Sequence, residues 1–203
     1  RAMVTSSDDS GPGTLRALVD AVPSTSADPT VITFDPELFS APTSIGLLSS
    51  ITIGQSLEVR GPVDEAGAPL VELNGNGVSS GLVSVKDSVS VTLGSLKFTG
   101  SADRAIFNMG HLVVADSVVS GNGAYDATDG WQIRRGGGLY STLGKLTLSN
   151  STVTGNAAQD GGGIFVAGGV LEVVDSHVEG NLAANGGGVY LEGGTSAEIV
   201  SST

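Results

Sequence analysis

Gly161-Gly162-Gly163-Ile164-Phe165-Val166 is the stretch that decides the fold. Its pattern stands 25 residues earlier as Gly136-Gly137-Gly138-Leu139-Tyr140 and 25 residues later as Gly186-Gly187-Gly188-Val189-Tyr190. Asn156 and Asn181 keep that interval, whereas Asn122 precedes Asn156 by 34. The excess of 9 falls between Asn122 and Gly136, so one loop carries an insertion on a scaffold that keeps its period. Between these markers the apolar residues alternate, as strands demand. Leu112, Leu146 and Leu171 form one column, and Val114, Leu148 and Val173 the next. Val119, Val153 and Val178 form a third, with Phe98 upstream, and Ile106, Leu139, Ile164 and Val189 a fourth. Strands this short bury nothing alone, but stacking their repeats gives a continuous interior. The expected fold is all-β: a parallel β-helix with coils about 4.8 Å apart. The general preference of parallel crossovers makes it right-handed.

The first half is less regular. Val31–Phe34, Ile51–Ile53, Leu57–Val59, Leu70–Leu73, Leu82–Val85 and Val89–Leu93 read as strands of early coils, punctuated by Gly61-Pro62, Asn74-Gly75 and Asn76-Gly77. Before them, Thr14–Ala21 has helical spacing, with Leu15, Leu18 and Val19 on one face and Pro23 as its stop. A solenoid needs its open end covered. Residues 1–30 are therefore expected to form an N-terminal cap, a strand plus an amphipathic helix, and residues 31–203 the coils. The last coil breaks off within its pattern, so the chain reads as the N-terminal piece of something longer. Its open final edge predicts end-to-end self-association.

The chain has 203 residues, with 9 Lys and Arg against 21 Asp and Glu, a formal net charge of −12. Such a field repels phosphate backbones and anionic lipid, which argues against nucleic-acid binding. No apolar run approaches the roughly 18 residues of a membrane span, so no direct membrane insertion is expected. There are no cysteines, 31 glycines and 4% aromatic residues. The mean hydropathy of +0.21 argues against disorder.

The three regular repeats resemble those of the chlamydial polymorphic outer-membrane proteins and related bacterial surface β-helices. One motif of that pattern, Gly-Gly-small-aliphatic, appears at Gly137-Gly138-Leu139, Gly162-Gly163-Ile164 and Gly187-Gly188-Val189. The other, Phe-x-x-Asn, appears as Val119-Ser120-Gly121-Asn122, Val153-Thr154-Gly155-Asn156 and Val178-Glu179-Gly180-Asn181, with valine in place of phenylalanine. Phe98-Thr99-Gly100-Ser101 keeps the phenylalanine and loses the asparagine. Val4-Thr5-Ser6-Ser7-Asp8-Asp9-Ser10-Gly11-Pro12-Gly13-Thr14-Leu15-Arg16 resembles the opening of large secreted β-helix proteins of environmental bacteria. Together these cover about half the chain. The resemblance implies a pectin-lyase-like solenoid and export to the cell surface, and specifies no ligand; glycans or host and neighbour cell-surface proteins are the partners expected from the aromatic column and the inserted loop.

Four features are candidates for function. Asn122, Asn156 and Asn181, with Gly138, Gly163 and Gly188, read as a structural turn ladder, the glycines serving positive φ. Phe107, Tyr140, Phe165 and Tyr190 form an aromatic column, either a sugar- or partner-binding stripe or a ladder packed on itself. The pleat points them away from the core if Leu139, Ile164 and Val189 face it. The inserted loop holds Tyr125, Trp131, Arg134 and Arg135, which suit a sugar ring and a carboxylate; the alternative is a loop tucked against the rod. Asp126 and Asp129 are weak calcium candidates, since calcium wants six or more oxygens. No cofactor or metal is otherwise expected. The scattered carboxylates and cations give no catalytic constellation. A non-catalytic extracellular adhesin or spacer is the first expectation, and a fragment of a polysaccharide lyase or hydrolase acting on acidic glycans is the alternative.

Overall fold

The structure, a computed structural model, describes residues 1–23, 29–77, 81–126, 130–131 and 135–203, the side chains of Tyr125, Asp126 and Trp131 excepted. It is 49% strand and 3% helix, and its two large sheets are curled and parallel throughout. That arrangement is compatible with a solenoid.

The chain starts with β1 (Ala2–Val4), the short helix α1 (Leu15–Asp20), β2 (Thr30–Phe34) and β3 (Thr43–Gly46). From there it visits three faces in a fixed order. The first round is β4 (Ile51–Ile53), β5 (Leu57–Arg60) and β6 (Val71–Asn74). The second is β7 (Val83–Val85), β8 (Ser90–Gly94) and β9 (Leu96–Thr99), and the third is β10 (Ile106–Asn108), β11 (His111–Ala115) and β12 (Val118–Ser120). The insertion then adds an antiparallel hairpin, β13 (Tyr125–Asp126) with β14 (Gly130–Trp131). The fourth round is β15 (Leu139–Thr142), β16 (Lys145–Ser149) and β17 (Thr152–Thr154). In the fifth, β18 (Ile164–Val174) serves two faces before β19 (His177–Glu179), and β20 (Val189–Val200) again spans two.

Parallel pairing joins like strands of successive rounds. One face runs β4-β7-β10-β15 and on into the first part of β18. The second runs β1-β2-β5-β8-β11-β16 and on into the second part of β18. The third runs β3-β6-β9-β12-β17-β19. The sequence pattern suggested separate short strands, yet β18 is continuous over 11 residues. Gly168 and Gly169, both at positive φ, turn its corner, and β20 pairs along both arms with a register shift between Ala167 and Gly169. β3 was not legible as a strand: Thr43-Ser44-Ile45-Gly46 offers one apolar residue to the interior.

Alternation puts the expected columns inside. Leu112, Leu146 and Leu171 are at most 1% exposed, as are Val114, Leu148 and Val173. Ile106, Leu139 and Ile164 lie in register in the same core, with Val189 packed against it at the last round. Burying each large aliphatic side chain stabilises by about 1.5–3 kcal/mol.

α1 owes its start to Thr14, a buried N-cap whose Oγ1 accepts from Ala17 N at 3.2 Å and donates to Gly11 O at 2.8 Å. Leu15 and Val19 are buried, and the helix touches β1, β2 and β4. Arg16 explains the Asp8-Asp9 to Arg16 stretch. Its guanidinium pairs with the Asp9 carboxylate and donates to the carbonyls of Ser49 and Ser50 at 2.7 and 2.9 Å. The helix is thereby tied to the turn that leads into β4.

Candidate functional site

The asparagines form a buried ladder. Ser101 N donates to Asn122 Oδ1 at 3.1 Å, Asn122 N to Asn156 Oδ1 at 3.0 Å, and Asn156 N to Asn181 Oδ1 at 3.0 Å. Each amide nitrogen reaches a carbonyl of the preceding round: Phe98 from Asn122, Val119 from Asn156, Val153 from Asn181. Asn122 and Asn156 are fully buried, so these side chains hold turns together and offer nothing to solvent. The glycine reading needs a correction. Only the first glycine of each triplet, such as Gly161 at φ +63, is left-handed. Gly163 is required for space: a Cβ there would lie 2.6 Å from Gly188 O and 2.8 Å from Asn181 Nδ2. Gly138 is in the same position, 2.7 Å from Gly163 O.

A second ladder escaped the sequence reading. Ser117 N donates to Ser151 Oγ, Ser151 N to Ser176 Oγ, and Ser176 N to Ser202 Oγ, at 3.0–3.1 Å. Ser117, Ser151 and Ser176 stand five residues before Asn122, Asn156 and Asn181, so the same spacing test would have found them.

The outer side of the first face carries the most distinctive surface. Register sets Thr52, Ser84, Phe107, Tyr140, Phe165 and Tyr190 in one column. Their partners one residue back, Ile51, Val83, Ile106, Leu139, Ile164 and Val189, line the interior. Successive ring centroids along Phe107, Tyr140, Phe165 and Tyr190 are 5.1, 5.2 and 5.2 Å apart, the first pair tilted, the second edge-on and the last stacked with nearly parallel planes. The column therefore packs on itself, as one of the two readings held. Phe165 is 1% exposed yet lies outside the core cluster, because its ladder neighbours and Arg135 cover it.

Two guanidiniums lie on this column. Arg104 sits 5.0 Å from the Tyr140 ring and 5.7 Å from Phe107, with Nε 3.2 Å from Asp103. Arg135 sits 4.9 Å from the Phe165 ring and pairs with Glu192 at 3.0 Å. A side-chain hydrogen bond with Tyr140, above all, holds the Arg135 pKa above its usual value. The loop cation expected to await a ligand is thus committed to the ladder. Arg134 and Asp129 lie outside the described residues, as do the side chains of Tyr125, Asp126 and Trp131. The loop backbone does border this face: Gly123 N donates to the carbonyls of Ser101 and Asp103, beside Arg104. The inserted loop and the aromatic column, separate candidates in the sequence, share one edge.

On the second face register sets Thr147, Glu172 and Glu198 in one column, and Lys145, opposite Val170, reaches across to Glu172. Lys145 Nζ lies 2.7 Å from Glu172, and that hydrogen bond chiefly lowers the Glu172 pKa.

Comparison with family models, curated proteins and solved structures returns no match. The class is set by the chain's own geometry: a curled, parallel, nearly all-β protein with an aromatic and cationic stripe on one face.

Proposed function

We propose that this chain is part of a non-catalytic, extracellular, right-handed parallel β-helix that serves as a bacterial surface adhesin or spacer. α1 covers its N-terminal end, and the repeats are of the polymorphic outer-membrane protein kind. The Phe107–Tyr190 column, with Arg104 and Arg135 laid on it, is its glycan-binding face, and the sequence adds Trp131 and Arg134 of the inserted loop as candidates for the same ligand. The observation that carries the reading is the column itself: four rings in contact at 5.1–5.2 Å under two guanidiniums, with Phe107, Tyr140 and Tyr190 half-buried and Phe165 covered, on strands backed by a buried aliphatic column. Rings held so rigidly lose little entropy when a sugar or partner packs on them.

The test is glycan-array and cell-surface binding, together with an assay for new reducing or unsaturated sugar ends. Saturable binding without cleavage supports the reading. Cleavage of a pectin-like polymer overturns it in favour of an enzyme.

A further inference from the structure

We propose that the groove where the aromatic column stops is a subsite for a neutral pyranose, an inference that rests on the glycan-binding reading. From Tyr190 back to Phe107 every position of the outer column holds a ring; at Ser84 and Thr52 the side chains shrink to hydroxyls. Two rounds without bulk leave a recess roughly 10 Å long. A groove of about 400 Å³ lies there, bordered by Ser50, Thr52, Ser84, Asp103, Arg104 and Phe107. That volume falls within the roughly 300–1,000 Å³ of small-molecule sites. Phe107 closes one end of the groove and offers its ring to the C–H face of a sugar. Ser84 and Thr52 supply hydroxyl partners from the floor. Asp103 supplies an acceptor, and the terminal amino groups of Arg104 supply donors, a pairing that suits adjacent hydroxyls of one ring. The bound ring continues the stack in the place of the missing aromatic side chain.

The wall is prearranged. Arg16 fixes the Ser50 carbonyl at 2.9 Å, and Arg104 is immobilised over Phe107 and Tyr140. The ligand is neutral because Asp103 already answers the Arg104 charge, while the net charge of −12 repels acidic polymers.

The experiment is calorimetric titration with cellohexaose as the neutral probe and an oligogalacturonate as the acidic one. Ser84→Phe extends the ring column into the groove, and Thr52→Tyr fills it from the next round; both positions are on the outer surface, and thermal melts verify folding. Either variant should weaken cellohexaose binding about tenfold or more, a shift of about 1.4 kcal/mol. Lys145→Ala, on another face, should leave it unchanged. Wild-type affinity in both groove variants overturns the subsite while leaving the glycan-binding face standing. Preference for the oligogalacturonate overturns the neutral class. A wild-type protein that binds no glycan on an array overturns both readings.

Discussion

Replacing Asn156 by alanine removes the middle link of the buried amide ladder. Asn122 N loses its acceptor, Asn156 Oδ1 at 3.0 Å, in a site with no exposure. An orphaned buried donor costs about 1–3 kcal/mol, and each neutral hydrogen bond lost from Asn156 Nδ2, to Val119 O and Asn181 Oδ1, adds roughly 0.5–1.5. Asn122 Nδ2 keeps its bonds to Phe98 O and Ser120 O, so it adds little. The expected loss is about 3 kcal/mol, or a fall in Tm of roughly 6–12 °C for a chain of this size. Urea unfolding followed by far-UV circular dichroism measures it. Asn181→Ala is the internal control, because Asn181 lies at a half-exposed round; it should cost less. A loss under about 0.5 kcal/mol at Asn156, or a larger loss at Asn181, would refute the ladder as a structural device.

Further outcomes follow from the same geometry. Ile164→Ala, in the buried aliphatic column, should cost about 2–5 kcal/mol by urea unfolding, well above Tyr190→Ala on the outer column. Ser151→Ala orphans Ser117 N and should cost about 1–3 kcal/mol, which a wild-type urea midpoint would contradict. Glu172 should titrate below the ordinary glutamate range by carboxyl NMR, and Lys145→Met should move it upward. With its folded pKa lowered, the pair's contribution is present above the ordinary glutamate value and is lost as pH falls through the lowered one.

Periodicity carried most of the fold. The interval of 25 and the alternating aliphatic residues located the interior at Leu139, Ile164, Leu146 and Leu171, because a parallel ladder repeats its environment at each round. The early rounds were harder, since β3 and β6 are joined to their neighbours by loops of unequal length. The site was half legible. Spacing exposed the aromatic column, because its residues recur in register. Arg104 and Asp103 had no such signal: they come from a loop, and only the fold sets them beside Phe107 and Ser84. The Asp9–Arg16 pair was hidden for the same reason, since its partners, the carbonyls of Ser49 and Ser50, lie more than thirty residues away.

One measurement bears most directly on the glycan-binding face. Isotope-labelled protein is titrated with cellohexaose, and the spectra follow both the protein and the sugar over time. Shifts gathered at Ser84, Arg104, Phe107 and Tyr140, with the oligosaccharide intact at the end, are the predicted result. Shifts centred on the Lys145–Glu172 face, or shortening of the oligosaccharide, would contradict it.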